Sequence, residues 1–187
     1  MPHFETSVKR VNELVALDYG LPVKGWDQAP ERGGRAGDQL EVVVTRCPIQ
    51  FGPRYTSMYS SVSNAVHAAV RGHAVPANRQ LSDVIDSVYI KDSASALVAL
   101  SGATTLPNRI YNVSSNIRFT APELLAAVVD AVPGADQHLG VSLGEAQPLP
   151  DDYLDISRIQ SDVGWKPEYT LEAAIADYAR WLQSHDF

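Results

Sequence analysis

Apolar residues return at helical spacing in several stretches of the chain, and short continuous apolar runs separate those stretches. Val8, Val11, Leu14 and Val15 predict a helix over Thr6–Tyr19 with these four side chains on its inner face. Met58, Val62, Val66, Ala69 and Val70 predict a second helix, ended by Gly72. Asp92 is placed to cap a third, running through Ala96, Leu97 and Leu100 with Gly102 beyond it. Thr120 and Glu123 form a capping box, in which a hydroxyl and a carboxylate three residues apart satisfy free N–H groups reciprocally. Leu124, Leu125, Val128 and Val129 follow it, and Pro133-Gly134 stops that helix. Asp155 is a natural cap for a short helix bearing Ile156, Ile159 and Val163, which Gly164 closes. Trp165 and Pro167 mark a turn. Thr170 then caps a last helix whose Leu171, Ala174, Ile175, Tyr178 and Leu182 share one face.

The valine-rich run Leu40–Thr45 reads as a strand covered on both faces, and Val84–Ile90 and Arg109–Val113 read as two more. Strands separated by helices imply crossover units, so the expected fold class is α/β with a largely parallel sheet. The strands near 40–46 and 84–90 are expected to run parallel to each other. Leu21–Gln39 has no periodicity and carries Pro22, Gly25, Pro30, Gly33, Gly34 and Gly37; a mobile loop is expected there.

Composition narrows the classes. With 187 residues, 45% of them hydrophobic, the chain can bury one sizeable core, and a single domain over residues 1–187 is expected. A net charge of −7 argues against a nucleic-acid partner, whose backbone demands a basic surface. No apolar run reaches the roughly 18 residues of a membrane span, and no basic-then-apolar signal pattern opens the chain. A cytoplasmic protein without a membrane partner is expected. Cys47 is the single cysteine, so neither a disulfide framework nor a thiolate metal site can form. His3, His67, His73, His138 and His185 show no metal-ligand spacing, so no metal is expected. Ser57, Ser60 and Ser61 lack the Gly-x-Ser-x-Gly turn of a nucleophile, which leaves hydrolase chemistry unsupported.

The segment Asp152–Trp181, a capped short helix, a tryptophan turn and an amphipathic helix, resembles the closing segment of extended short-chain dehydrogenases. These form the NAD-dependent epimerase/dehydratase family. Thr45-Arg-Cys-Pro-Ile-Gln-Phe-Gly-Pro-Arg54 resembles the family's strand-to-loop passage that runs near the nicotinamide and opens the substrate pocket. Asp86-Ser-Val-Tyr-Ile-Lys-Asp92 is similar to its strand and aspartate cap near the substrate, and Arg109-Ile-Tyr-Asn-Val113 to the strand before its Thr-capped helix. The four matches stand in the family's order. The resemblance implies a partial Rossmann-like parallel sheet with a small C-terminal substrate-binding subdomain, an NAD or NADP cofactor and a small-molecule substrate. It also implies Lys9, Pro48, Ile49 and Gln50 as cofactor-binding residues, Lys9 as catalytic, and Arg54, Tyr55 and Tyr89 as substrate-binding.

Departures from the family pattern carry as much weight. No strand, Gly-x-x-Gly-x-x-Gly turn and helix is present to hold a pyrophosphate at a helix N-terminus. The chain therefore reads as the C-terminal portion of such an enzyme, with the missing N-terminal half or a homo-oligomer as its expected partner. The family's Tyr-x-x-x-Lys also fails. Lys9 and Glu13 keep the family's lysine–glutamate spacing, which puts Glu5 at the tyrosine position; aligning Phe4 and Ser7 instead puts Val8 at the lysine position. Neither register supplies the proton donor. Ile85 stands where members acting on nucleotide sugars place a diphosphate-binding arginine, which favours a non-nucleotide hydroxy, keto or sugar-like substrate; Arg79 could approach from the preceding loop.

Each of these residues also has a structural reading. Lys9 and Glu13 make an ordinary helix-surface pair, Asp92 a helix cap, Arg54 and Tyr55 an exposed loop, and Trp165 a packing residue. Two functions stay open: the substrate-side part of an NAD(P)-dependent enzyme, inactive alone, or a non-catalytic module of the same fold.

Overall fold

Pro48 separates two short strands, one at the end of the first apolar run and one beyond it, because its ring nitrogen has no hydrogen to donate to a ladder. The computed structural model describes residues 4–19, 41–55, 60–75, 83–84, 86–140, 149 and 153–186. Met58, Arg79, Ile85 and the expected loop at 21–39 lie outside the described residues. In chain order the elements are α1 (Phe4–Tyr19), β1 (Val44–Arg46), β2 (Ile49–Phe51), α2 (Ser61–Arg71), β3 (Ser87–Tyr89) and α3 (Ile90–Gly102). After them come β4 (Ile110–Asn112), α4 (Ala121–Ala131), α5 (Ser157–Val163) and α6 (Leu171–Ser184). They fall into two compact units: Met1–Arg46 with Thr105–Tyr111, and Cys47–Thr104 with Asn112–Phe187.

In the first unit β1 pairs with β4, and the Val44 N–H donates to the Arg109 carbonyl at 2.8 Å. Arg46 grips Glu13 of α1 in a fork, Nε to Oε2 at 2.9 Å and Nη2 to Oε1 at 2.6 Å. That guanidinium holds the Glu13 carboxyl below the usual carboxylate range. The carboxylate expected to pair with Lys9 thus reaches across to a strand. A second expectation is overturned: Val8, Val11, Leu14 and Val15 are not an inner face but are 39%, 56%, 63% and 49% exposed. Periodicity marks a face that would gain from cover; it does not say that the same chain supplies the cover.

The second unit holds the main core. Here β2 and β3 run parallel with Ile49 opposite Ser87, Gln50 opposite Val88 and Phe51 opposite Tyr89. The parallel partner of β3 is therefore β2, after Pro48, and not the run at 40–46. Helices α2, α4 and α6 pack on one another through Val62, Val66, Leu124, Val128, Ile175, Tyr178 and Leu182, all nearly or fully buried. At roughly 1.5–3 kcal/mol for each fully buried large apolar side chain, this cluster is the chief source of stability in the unit.

Local signals set the helix ends much as expected. Ser60 Oγ accepts from the Ser63 N–H at 3.2 Å, and Gly72 closes α2 in the left-handed conformation. Thr120 and Glu123 make the full capping box, and Thr170 accepts from the Ala173 N–H to start α6. Asp155 accepts from the Ser157 N–H at 2.8 Å, one position before the residue that flanks α5. Leu171, Ala174, Ile175, Tyr178 and Leu182 are all buried, as the periodicity of α6 requires.

Asp92 departs from expectation. The capping position of α3 is Tyr89, which has no side-chain cap, and Asp92 sits in the first turn with 1% exposure. Its Oδ2 accepts from Ser115 Oγ at 2.7 Å, while that same Oγ accepts from the Tyr89 N–H at 3.1 Å. Its Oδ1 accepts from the Glu168 N–H at 3.0 Å. One carboxylate thereby ties the end of β3, the loop before α4 and the turn before α6 to the start of α3. Trp165 completes the junction, donating from Nε1 to Ser95 Oγ at 2.8 Å.

Asp92→Ala removes two charge-assisted bonds, strands the buried Ser115 hydroxyl and leaves the Glu168 N–H without its acceptor, so it is expected to cost roughly 3–5 kcal/mol. Urea unfolding checks this; a loss below about 1 kcal/mol would show that the carboxylate is not the junction described.

Candidate functional site

The carboxyl ends of two adjacent parallel strands point the same way, and in open α/β sheets ligands bind beyond such ends. At that edge β2 runs into the turn Gly52-Pro53-Arg54-Tyr55, and β3 runs into α3. The turn closes with the Tyr55 N–H donating to the Gly52 carbonyl at 3.2 Å. Gly52 has φ of +132°, and a Cβ built there would meet Ile90 Cγ2 at 2.6 Å and Tyr89 Cε2 at 2.7 Å. Only glycine lets this backbone lie so close to the start of α3. Arg54 then takes φ of 61°, a left-handed conformation that glycine would occupy without strain, and its side chain is exposed.

Two neighbouring residues of α6 reach this edge. Asp177 Oδ2 accepts from the Tyr89 hydroxyl at 2.5 Å and pairs with Lys91 Nζ at 2.6 Å. Burial pushes Asp177 up, but the bonds from Lys91 and Tyr89 outweigh it and hold the carboxyl below its usual range. Burial, then the bond to Asp177, raise the Tyr89 hydroxyl far above ordinary tyrosine. Tyr89 is therefore a fixed donor and not a base. Tyr178, pushed up to about 12 by burial, donates to the Tyr55 carbonyl at 3.3 Å and contacts His67 Nε2 at 2.8 Å. Burial lowers the His67 pKa, and Arg71 lowers it further.

The structure brings together Arg54, Tyr55 and Tyr89 in the second unit, with half-buried Pro48 and Gln50 and exposed Ile49 on the same stretch of chain. Tyr89 is fully buried, its ring 5.4 Å from Phe51 and 4.7 Å from Tyr169. With its hydroxyl committed to Asp177, it serves the packing of the edge, on which Arg54 and Lys91 are exposed charged groups. Lys9 is exposed on α1 in the other unit, and Phe4 and Glu5 occupy the first turn of that helix. Sequence reasoning missed Lys91, Asp177 and His67. The one available signal was a histidine facing the apolar positions of α2; nothing local pairs Asp177 with Tyr89, 88 positions away, or with Lys91.

No family model matches the chain. It is 24% identical over 147 residues to dTDP-glucose 4,6-dehydratase of Streptomyces griseus, covering 78% of this chain and 44% of that protein. Among solved structures it is similar to dTDP-glucose 4,6-dehydratase of Bacillus anthracis in complex with NAD, with TM-score 0.66, 19% identity, and coverage of 98% of this chain and 53% of that one. RMD from Pseudomonas aeruginosa complexed with NADPH gives TM-score 0.63 and 22% identity, covering 98% of this chain and 58% of that chain. The chain spans less than half the length of the curated relatives it matches. Its homologues are thus epimerase/dehydratase-type proteins at low identity, and the expected α/β fold with parallel strands is the one these structures share.

Gly52→Ala places a Cβ against Ile90 and Tyr89 in a conformation closed to other residues, and a loss of roughly 2–4 kcal/mol is expected. Chemical denaturation measures it; an unchanged midpoint would mean that the turn does not sit against α3. The depressed pKa of His67 sets a sign for acid stability. The unfolded chain takes up the proton first, so stability is full above the ordinary histidine value near 6.5 and falls as pH drops below it. Replacing His67 with Gln should remove that part of the slope between pH 7 and 5 in denaturation midpoints; an unaltered slope would refute it.

Proposed function

Given homologues of the NAD-dependent epimerase/dehydratase type, we propose that this chain is the substrate-side part of an NAD(P)-dependent oxidoreductase of that kind, inactive on its own. The observation that carries this reading is the edge at the carboxyl ends of β2 and β3. This parallel strand pair presents there a glycine-dependent turn whose arginine is exposed in a strained backbone conformation, beside the Lys91–Asp177 pair. Strain of this kind collects where ligands are held. The proposed substrate is a small non-nucleotide hydroxy, keto or sugar-like compound, contacted by Arg54 and Tyr55. Lys9, Pro48, Ile49 and Gln50 are proposed to face the NAD or NADP cofactor once a dinucleotide-binding half is present. A cytoplasmic enzyme is the matching setting; no helix among the described residues is long and apolar enough to cross a membrane.

Chemistry in such an enzyme needs a bound nicotinamide to exchange hydride and a positioned group to move a proton, the latter typically contributing ~10²–10⁴-fold. The chain has neither a glycine-rich turn nor a tyrosine ahead of Lys9. Calorimetry is accordingly expected to show no NAD(H) or NADP(H) binding at micromolar concentration, and reduced-nicotinamide absorbance no turnover. Restoring tyrosine at position 5 alone should not change this. Micromolar cofactor binding, or turnover abolished by Lys9→Ala, would overturn the reading. Arg54→Gly, which relieves the backbone, is expected to leave the fold at least as stable while removing substrate binding in a fused, active form.

A second reading, a non-catalytic interaction module, is favoured by the exposed stripe Val8, Val11, Leu14 and Val15 on α1. Under either reading that stripe is proposed as the surface a partner covers, whether a dinucleotide-binding half or a second copy of the chain. Leu14→Asp is expected to shift the purified chain to a smaller sedimenting species; a wild-type chain that sediments as a monomer at high concentration would exclude self-association.

A further inference from the structure

The Tyr178 hydroxyl lies 3.3 Å from the Tyr55 carbonyl, to which it can donate. Its Oη also meets His67 Nε2 at 2.8 Å, a contact in which the histidine tautomer sets which group donates. Tyr178 on α6 thereby joins His67 on α2 to the turn that carries Arg54. The rings of His67 and Tyr178 meet edge-on at 5.7 Å, an arrangement that fixes both planes. Tyr178 is fully buried within the α2–α4–α6 core, so its hydroxyl reaches the turn from the most rigid part of the unit. Its neighbour Asp177 holds the β3–α3 side of the same edge through Tyr89 and Lys91.

We infer that Tyr178 is a positioning residue for the Gly52–Tyr55 turn. This rests on reading the turn as ligand-facing only for its functional meaning; the hydrogen-bond chain itself stands without any ligand. Two consecutive residues of one helix thus set the two sides of the edge, so that a ligand contacting Arg54 and Lys91 meets groups held from a common rigid element.

The test is amide hydrogen exchange by NMR on the full chain without ligand. The reporter is the Tyr55 N–H, which donates to Gly52. Tyr178→Phe keeps the ring and removes the hydroxyl; it is expected to speed Tyr55 exchange at least tenfold relative to amides of the β2–β3 ladder. Ile175→Val, a core change on the same helix, is expected to lower global stability without this selective effect. His67→Leu leaves the Tyr55 carbonyl as the hydroxyl's acceptor in this contact, so Tyr55 protection should be kept or raised. Unchanged Tyr55 protection in Tyr178→Phe, or its loss in His67→Leu, would overturn the inference. Should Tyr178→Phe fail to fold, His67→Leu still decides it. Failure of substrate binding elsewhere would leave this result untouched, because no ligand enters the measurement.

Discussion

The second unit depends on one buried carboxylate. Asp92 accepts from the Ser115 hydroxyl and the Glu168 amide, and Ser115 in turn accepts from the Tyr89 amide, so strand end, loop, turn and helix start share one node. A charge with 1% exposure would be ruinous without such partners; with them its bonds are shorter and stronger than neutral ones. The position in the first turn of α3 adds the favourable end of the helix dipole. Everything at the candidate edge is referenced to this node. Lys91 precedes Asp92, Tyr89 precedes Lys91 by two, and Gly52 lies against Ile90 between them.

Around that node α6 acts as a clamp. Its buried face, Leu171 to Leu182, fixes it to α2 and α4 by apolar contact, which is strong but tolerant of small shifts. Its polar residues Asp177 and Tyr178 convert that seat into fixed positions for the two sides of the edge, because hydrogen bonds are directional where dispersion is not. The division of labour explains why the helix carries a carboxylate at the margin of its apolar stripe and a tyrosine within it.

Features decided within a few residues were legible in the sequence. The Thr120–Glu123 box, the left-handed Gly72 and Gly164, and the α6 stripe follow from local hydrogen bonding and helical geometry. What escaped was set by distant chain. Glu13 takes a planar bidentate fork from Arg46, 33 residues further along the chain, which nothing local announces. Asp92 looked like a cap because aspartate before a helix usually is one; its partners lie 23 and 76 residues away. The site was legible in part. Gly52-Pro53-Arg54 announced a turn and the family resemblance gave it a role, whereas Lys91 and Asp177 meet only after folding.

The α1 and α6 stripes have the same periodicity and opposite fates, and the difference is large in energy. Covering a large apolar side chain contributes roughly 1.5–3 kcal/mol, and four on α1 remain 39% to 63% exposed. Even partial cover of all four would yield several kcal/mol, comparable with the whole stability of many domains. Helices at a plain solvent boundary do not keep such a row, since single exposed apolar residues are ordinary but a contiguous stripe is not. The Arg46–Glu13 fork holds α1 by its polar side, which leaves the stripe presented and not folded inward. A helix held through its charged side and exposed along its valines is the surface proposed above for a partner.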